Sequence, residues 1–281
     1  MRELLKIVSY DIRSSFRKNR IKWMIAMIIL LFLCIRTFNA VSFVGTYDLL
    51  SELWPVMSGA REYILSEDSS FALPAYWFLF HGYFFFLIGF YPANELYLGN
   101  GQPLVRTASR PKWIISKQIN LFVNTVSYYG CFLIFMLIGN YIYGGEVIPE
   151  NEIIGYCGMP FFDKSHWELF TAFILLPMLV SVALGQIQIL MSLFISPVVF
   201  LMITVGYMIA SVFWMNPLFI GNFSMLLRQD WISGNPDISV SVGVVICIIL
   251  IFASNLAGIC MFQRKDILIE SLSGFMRMSI F

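Results

Sequence analysis

The chain has 281 residues, 59% of them hydrophobic and only 12% charged, and its net charge is +1. Soluble domains carry about a quarter charged residues, and mean hydropathy here is +0.78, so composition alone predicts an integral membrane protein. The near-zero net charge excludes a global field that would draw in nucleic acid. Cys34, Cys131, Cys247 and Cys260 lie inside apolar runs and Cys157 lies in a loop, which gives neither a disulfide framework nor a CxxC pair.

The chain opens with "MRELLKIVSYDIRSSFRKNRIK". Met1, Leu4, Leu5, Val8, Ile12 and Phe16 recur at three- and four-residue steps, with Arg2, Lys6, Arg13 and Arg17 on other faces. That pattern predicts an amphipathic helix lying on a membrane surface, over about residues 1–22. The stretch is too long for the basic start of a signal peptide, and no small-residue cleavage site follows. The first apolar run is therefore expected to be a retained span.

Six stretches approach the ~20 residues a bilayer core requires: about 23–44, 75–97, 118–143, 169–195, 197–215 and 239–262. Between Glu168 and Arg228 there is no charged residue, a run of 59. At ~1.5 Å per residue one helix of that length far exceeds a ~30 Å core. The chain must turn inside it, and Ser196-Pro197 offers the turn, because proline disfavours helix at the residue before it. The apolar segments "YDLLSELWPVMSG" and "NPLFIGNFSMLL" are too short to span. The second is predicted as a re-entrant segment before the last span, tolerable only if buried in protein or lining a wet cavity. The expected fold is all-α: a single polytopic domain with six transmembrane helices and an N-terminal interfacial helix.

Charge sets the expected orientation. The segments 1–22, 98–118 and 263–281 hold fourteen of the eighteen Lys and Arg, and the alternate segments 45–74, 144–168 and 216–238 hold three. The positive-inside rule then places both termini and the 98–118 loop in the cytoplasm. The same alternate segments hold twelve of the seventeen acids.

Catalytic motifs are absent. There is no HExxH, no GxSxG and no phosphate-cradling GxxxxGK[ST], and the Gly-x-Gly of "LGNGQP" follows no strand. An enzyme reading would rest on no motif. The polar residues within spans are Arg36, His81, Gln186, Gln188 and Asn255. Arg36 either lines a path or snorkels to the interface. His81 is expected to be hydrogen-bonded in the interior, and the amides to join helices or line a substrate path. The rings of "YWFLFHGYFFFLIGFY" are expected to pack against lipid and neighbouring helices.

The loop "GQPLVRTASRPKWIISK", Gly101 to Lys117, holds Arg106, Arg110, Lys112 and Lys117 and no acid. Ser109 can cap a helix whose first turn accepts Pro111, and that helix is expected to run through Trp113, at the membrane interface, into span three. Four basic residues suffice to mark topology, but they do not account for the glycine, the Ser/Thr pair and the ordered helix entry.

In these residues the sequence resembles the membrane subunits of ABC type-2 transporters. That family has a cytoplasmic amphipathic helix before span one and an acid near the end of span two. A glycine, a leucine, a Thr-Pro-x-Ser-Arg-like stretch and a lysine entering span three follow. Glu95 matches the acid, Gly101 the glycine and Leu104 the leucine. Thr107, Ser109 and Arg110 match the polar stretch, and Lys117 matches the lysine. Ala108 stands where proline is common, and Gln102 where threonine often follows the glycine. With the N-terminal helix, six spans and re-entrant segment, the resemblance covers nearly the whole chain.

The resemblance implies that residues 101–113, including Arg106 and Trp113, form a coupling loop docked on a separate ATP-binding subunit. ATP and Mg would be bound there and no cofactor on this chain. It implies a second permease, a copy or a paralogue, completing the path, and a multi-pass place among the lipids of a bacterial plasma membrane. A peptide or bacteriocin, a drug or a lipid could be the cargo. A non-transporting sensor or immunity protein that binds a peptide or lipid is the rival reading, and an intramembrane enzyme ranks last.

Overall fold

Helix α1 (Arg2–Lys18) breaks from α2 (Arg20–Ser42) at Asn19, and α2 is apolar almost throughout. The computed structural model describes residues 2–45, 48–63, 73–97, 109–147, 153–154, 156–161 and 164–264. Short α3 (Leu49–Met57) starts at Asp48, whose carboxylate accepts the Ser51 amide at 2.8 Å, an N-cap of the usual chemistry. The order continues with α4 (Ala75–Ile88), α5 (Tyr91–Tyr97) and the 33-residue α6 (Arg110–Ile142). A minimal antiparallel ladder, β1 (Ile153–Ile154) with β2 (Met159–Pro160), precedes α7 (His166–Phe170). A π-helical turn (Thr171–Leu175) joins α7 to α8 (Leu176–Ser192). Then come α9 (Pro197–Phe213), two 3-10 turns (Ile220–Ser224 and Leu226–Arg228), α10 (Asp230–Ser233) and α11 (Val240–Arg264).

Among the described residues, four helical stretches are long and apolar enough to cross a membrane: Arg20–Ser42, Arg110–Ile142, His166–Ser192 and Val240–Gln263. They divide by position in the bundle. The most apolar window of His166–Ser192 is 72% buried and that of Val240–Gln263 only 17%, so the first is the axis and the second lies on the flank. Helix α9 starts at Pro197 directly after Ser196, where the chain has to turn, and runs 17 residues.

The stretch expected as a second span, 75–97, is two helices. Pro92 has no N–H to bond the Ile88 carbonyl, so the helix cannot run through, and the chain turns at Gly89–Phe90. A Cβ on Gly89 would lie 2.2 Å from Gln188 Nε2, so only glycine lets α4 approach α8 there. The core is aromatic, with the Phe80 ring centroid 4.8 Å from Phe132 and 5.1 Å from both Tyr128 and Tyr129. Other rings of the same run, such as Phe86, face outward.

The segment expected to be re-entrant folds as 3-10 turns packed on α8, α9 and α11, with Ile220 to Leu226 buried.

Candidate functional site

The N-terminal helix is held to the bundle by buried ions. Asp11 of α1, Glu95 of α5 and Lys117 of α6 are each at most 2% exposed. Lys117 Nζ lies 2.8 Å from Asp11 Oδ1 and also pairs with Glu95 Oε2. Ser116 Oγ donates to Asp11 Oδ2, and the Tyr91 hydroxyl donates to the Asp11 carbonyl at 3.1 Å. The rings of Trp113 and Tyr91 lie 4.9 and 5.0 Å from the ammonium, within cation–π range. Two carboxylates and two ring faces thus replace the water that Lys117 has lost, and two hydroxyls hold Asp11 in place. Glu95 Oε1 has no hydrogen-bond partner among the described residues.

Glu95 and Lys117 bracket the basic loop in sequence, and the fold brings them into contact. Arg110, the first residue of α6, donates to the Gln263 carbonyl at 2.8 Å, near the end of α11. Lys112 pairs with Glu3 of α1 at 2.6 Å in an exposed bridge, which solvent screens to little net stability. Gly101, Leu104, Arg106 and Thr107 lie outside the described residues. One expectation is corrected. Ser109 occupies the N-cap position but its hydroxyl makes no capping bond. Trp113 is buried within the protein, its ring stacked on Phe262 at 5.0 Å and 4.9 Å from the Lys117 ammonium.

The other polar residues mostly join helices. Gln188 donates to the Phe85 carbonyl at 3.1 Å, and Asn255 donates to Gln186 at 3.4 Å. His81 is fully buried, with Nδ1 3.0 Å from the Trp77 carbonyl and Nε2 3.3 Å from the Tyr129 hydroxyl, which meets Ser181 Oγ at 2.8 Å. Arg36 is exposed and donates to the Tyr76 hydroxyl at 3.3 Å, a flank position and not an interior one.

Two further sites lie at the end of the bundle opposite α1. Arg228 is fully buried. Its guanidinium donates to the carbonyls of Ser211, Val212 and Trp214 at the end of α9, to those of Ala60 and Arg61, and to Asn222 Oδ1. A cation favours a helix C-terminus, and this one also ties the 58–61 segment to the turns. Gly59, at φ 66°, admits Met225 where a Cβ would lie 2.3 Å from Met225 Cγ.

Glu52 on α3 is also fully buried. Asn140 donates to its Oε1 at 3.3 Å, and Oε2 has no partner among the described residues. Burial pushes its carboxyl up to about 8; the Asn140 bond opposes the rise and the Asp48 charge adds to it. The fold therefore holds a proton that the unfolded chain releases in the ordinary carboxylate range. Stability from this group is complete below that range, falls as pH rises toward about 8, and is flat above. Glu52→Gln is expected to melt at the parent's temperature near about pH 5 and above it near pH 8. Parallel melting curves across the range would show that Glu52 ionises freely.

Long apolar helices around an aromatic core crossed by a few buried polar groups mark a membrane-embedded helical protein. The chain belongs to the DUF2705 family, described as a protein of unknown function, and matches it over residues 23–268. No curated protein and no solved structure matches the chain. The matched region contains Glu95 and Lys117; Asp11 lies ahead of it.

Proposed function

We propose that the protein is the membrane subunit of an ATP-driven exporter of the ABC type-2 class. In this reading α2, α4 with α5, α6, α7 to α8, α9 and α11 are six spans, and the turns at 220–228 are re-entrant. The α1 end and both termini face the cytoplasm of a bacterial cell, in its plasma membrane. A separate subunit binds ATP and Mg, and a second permease, a copy or a paralogue, completes the path for an exported peptide, drug or lipid.

The observation that carries the reading is the Lys117 cluster. It fastens α1 to both flanks of the loop that resembles the family's coupling segment. A loop anchored on both sides to a buried ion cluster can pass a push from a partner to α5, α6 and α1 together. A merely topological basic loop needs no such anchor. The resemblance of Gly101, Leu104, Thr107, Ser109 and Arg110 to the family motif adds to it.

The test removes charge from the loop and, separately, from α1. Arg106→Ala with Arg110→Ala is expected to leave the chain inserted, because twelve of the fourteen basic residues of its side remain. It should lower recovery of an ATP-binding partner about ten-fold or more, the loss of one or two charged hydrogen bonds. Arg13→Ala with Arg17→Ala, both exposed on α1, is expected to leave recovery unchanged. Equal loss from both pairs would make the loop a topology signal only.

A further inference from the structure

At the end opposite α1, a cleft of about 550 Å³ opens between α7, the π-helical turn, α10 and the start of α11. That volume lies within the roughly 300–1,000 Å³ typical of small-molecule sites. Its inner wall is apolar, from Ala172, Leu175, Val244 and Val245. Val245 is 56% exposed and sits on the flank helix, so the wall runs out onto the surface that a membrane protein turns to lipid. The mouth is polar: Glu168, Asp230 and Lys164 stand there with the hydroxyls of Ser239 and Ser241. Trp167 and Trp231 complete the rim, Trp167 at 67% exposure.

We infer that this cleft is a binding site for one phospholipid with a zwitterionic ammonium headgroup, held with the head at the rim and the first chain carbons along the wall. The charges select that class. Two carboxylates and two indoles favour an ammonium, one lysine suits the single phosphate that both kinds of head carry, and a head without an ammonium would meet Glu168 and Asp230 with only Lys164 to offset them. The location agrees, since indoles prefer the membrane–water boundary and the cleft lies at the ends of α8 and α11. The π-helical turn contributes Thr171, Ala172 and Leu175 to the wall, and such turns are frequent at functional sites. The inference rests on membrane embedding and is independent of any ATP-binding partner.

The test is native mass spectrometry of the purified chain after detergent washing, with phosphatidylethanolamine or phosphatidylglycerol added back. The expected result is one retained phosphatidylethanolamine per chain, at least ten-fold preferred over phosphatidylglycerol. Glu168→Gln with Asp230→Asn should abolish the preference, and Val245→Trp, which fills the wall, should abolish retention with the melting temperature kept. If Val245→Trp fails to accumulate, Ser241→Phe at the exposed rim serves in its place. Equal retention of both lipids, retention undiminished in the filled variant, or displacement of the lipid by micromolar cationic amphipathic peptide would each overturn the assignment.

Discussion

Lys117→Met is expected to cost about 3–5 kcal/mol, because it leaves Asp11 and Glu95 buried without their counter-charge. The variant should melt well below the parent in mild detergent. Trypsin should cut between α1 and α2 at Lys18 and Arg20 at lower enzyme doses, since α1 loses its main anchor while Glu3–Lys112 remains as an exposed bridge. Neutralising the whole cluster, Lys117→Met with Asp11→Asn and Glu95→Gln, should recover most of the loss, as replacing a buried ion group is often nearly neutral. Parent-like melting and protease resistance of the single variant would show that α1 is held by its apolar contacts alone.

Arg228→Leu is expected to be worse for the opposite end. It strips a charged donor from five backbone carbonyls and Asn222 Oδ1 at once. Leaving even a few such acceptors unsatisfied costs about 3 kcal/mol or more. The 214–230 segment should become protease-sensitive and the chain should accumulate poorly. Arg228→Lys is expected to recover little, because an ammonium has three donors at one point where the guanidinium spreads five across a plane. Full recovery by lysine would mean that charge at the end of α9, and not the geometry of the donors, holds the segment.

Much of this was legible in the sequence, and what was not has a physical cause. The turn at Ser196-Pro197 could be read because proline acts locally. The contact of Glu95 with Lys117 was implicit in their places on either side of one loop. Asp11 is not announced by the pattern, because the stripe from Met1 to Phe16 marks a membrane-facing side and says nothing of the face turned to the bundle. Leu5, on the stripe, is 63% exposed as a membrane-facing residue would be, while Asp11 and Ser15 turn inward to α6. Apolar periodicity finds the lipid side only, since lipid is as apolar as a helix interface and polar residues often mark the protein side. Arg228 was read only as the end of an uncharged run. Its partners are mostly backbone carbonyls, which every residue carries, so no pattern of side chains announces them. The break between α4 and α5 could have been found from Pro92, but the unbroken aromatic run hid it.

The central claim is that a separate ATPase drives this chain. The most direct measurement is purification of the full-length protein from its native membrane in mild detergent, with mass spectrometry of what accompanies it and an ATP-binding assay on the isolated chain. The account expects a P-loop ATPase in near-stoichiometric amount and no ATP bound by the chain alone, which carries no phosphate-cradling motif. A chain that purifies without any nucleotide-binding partner, or that binds ATP stoichiometrically by itself, would contradict it.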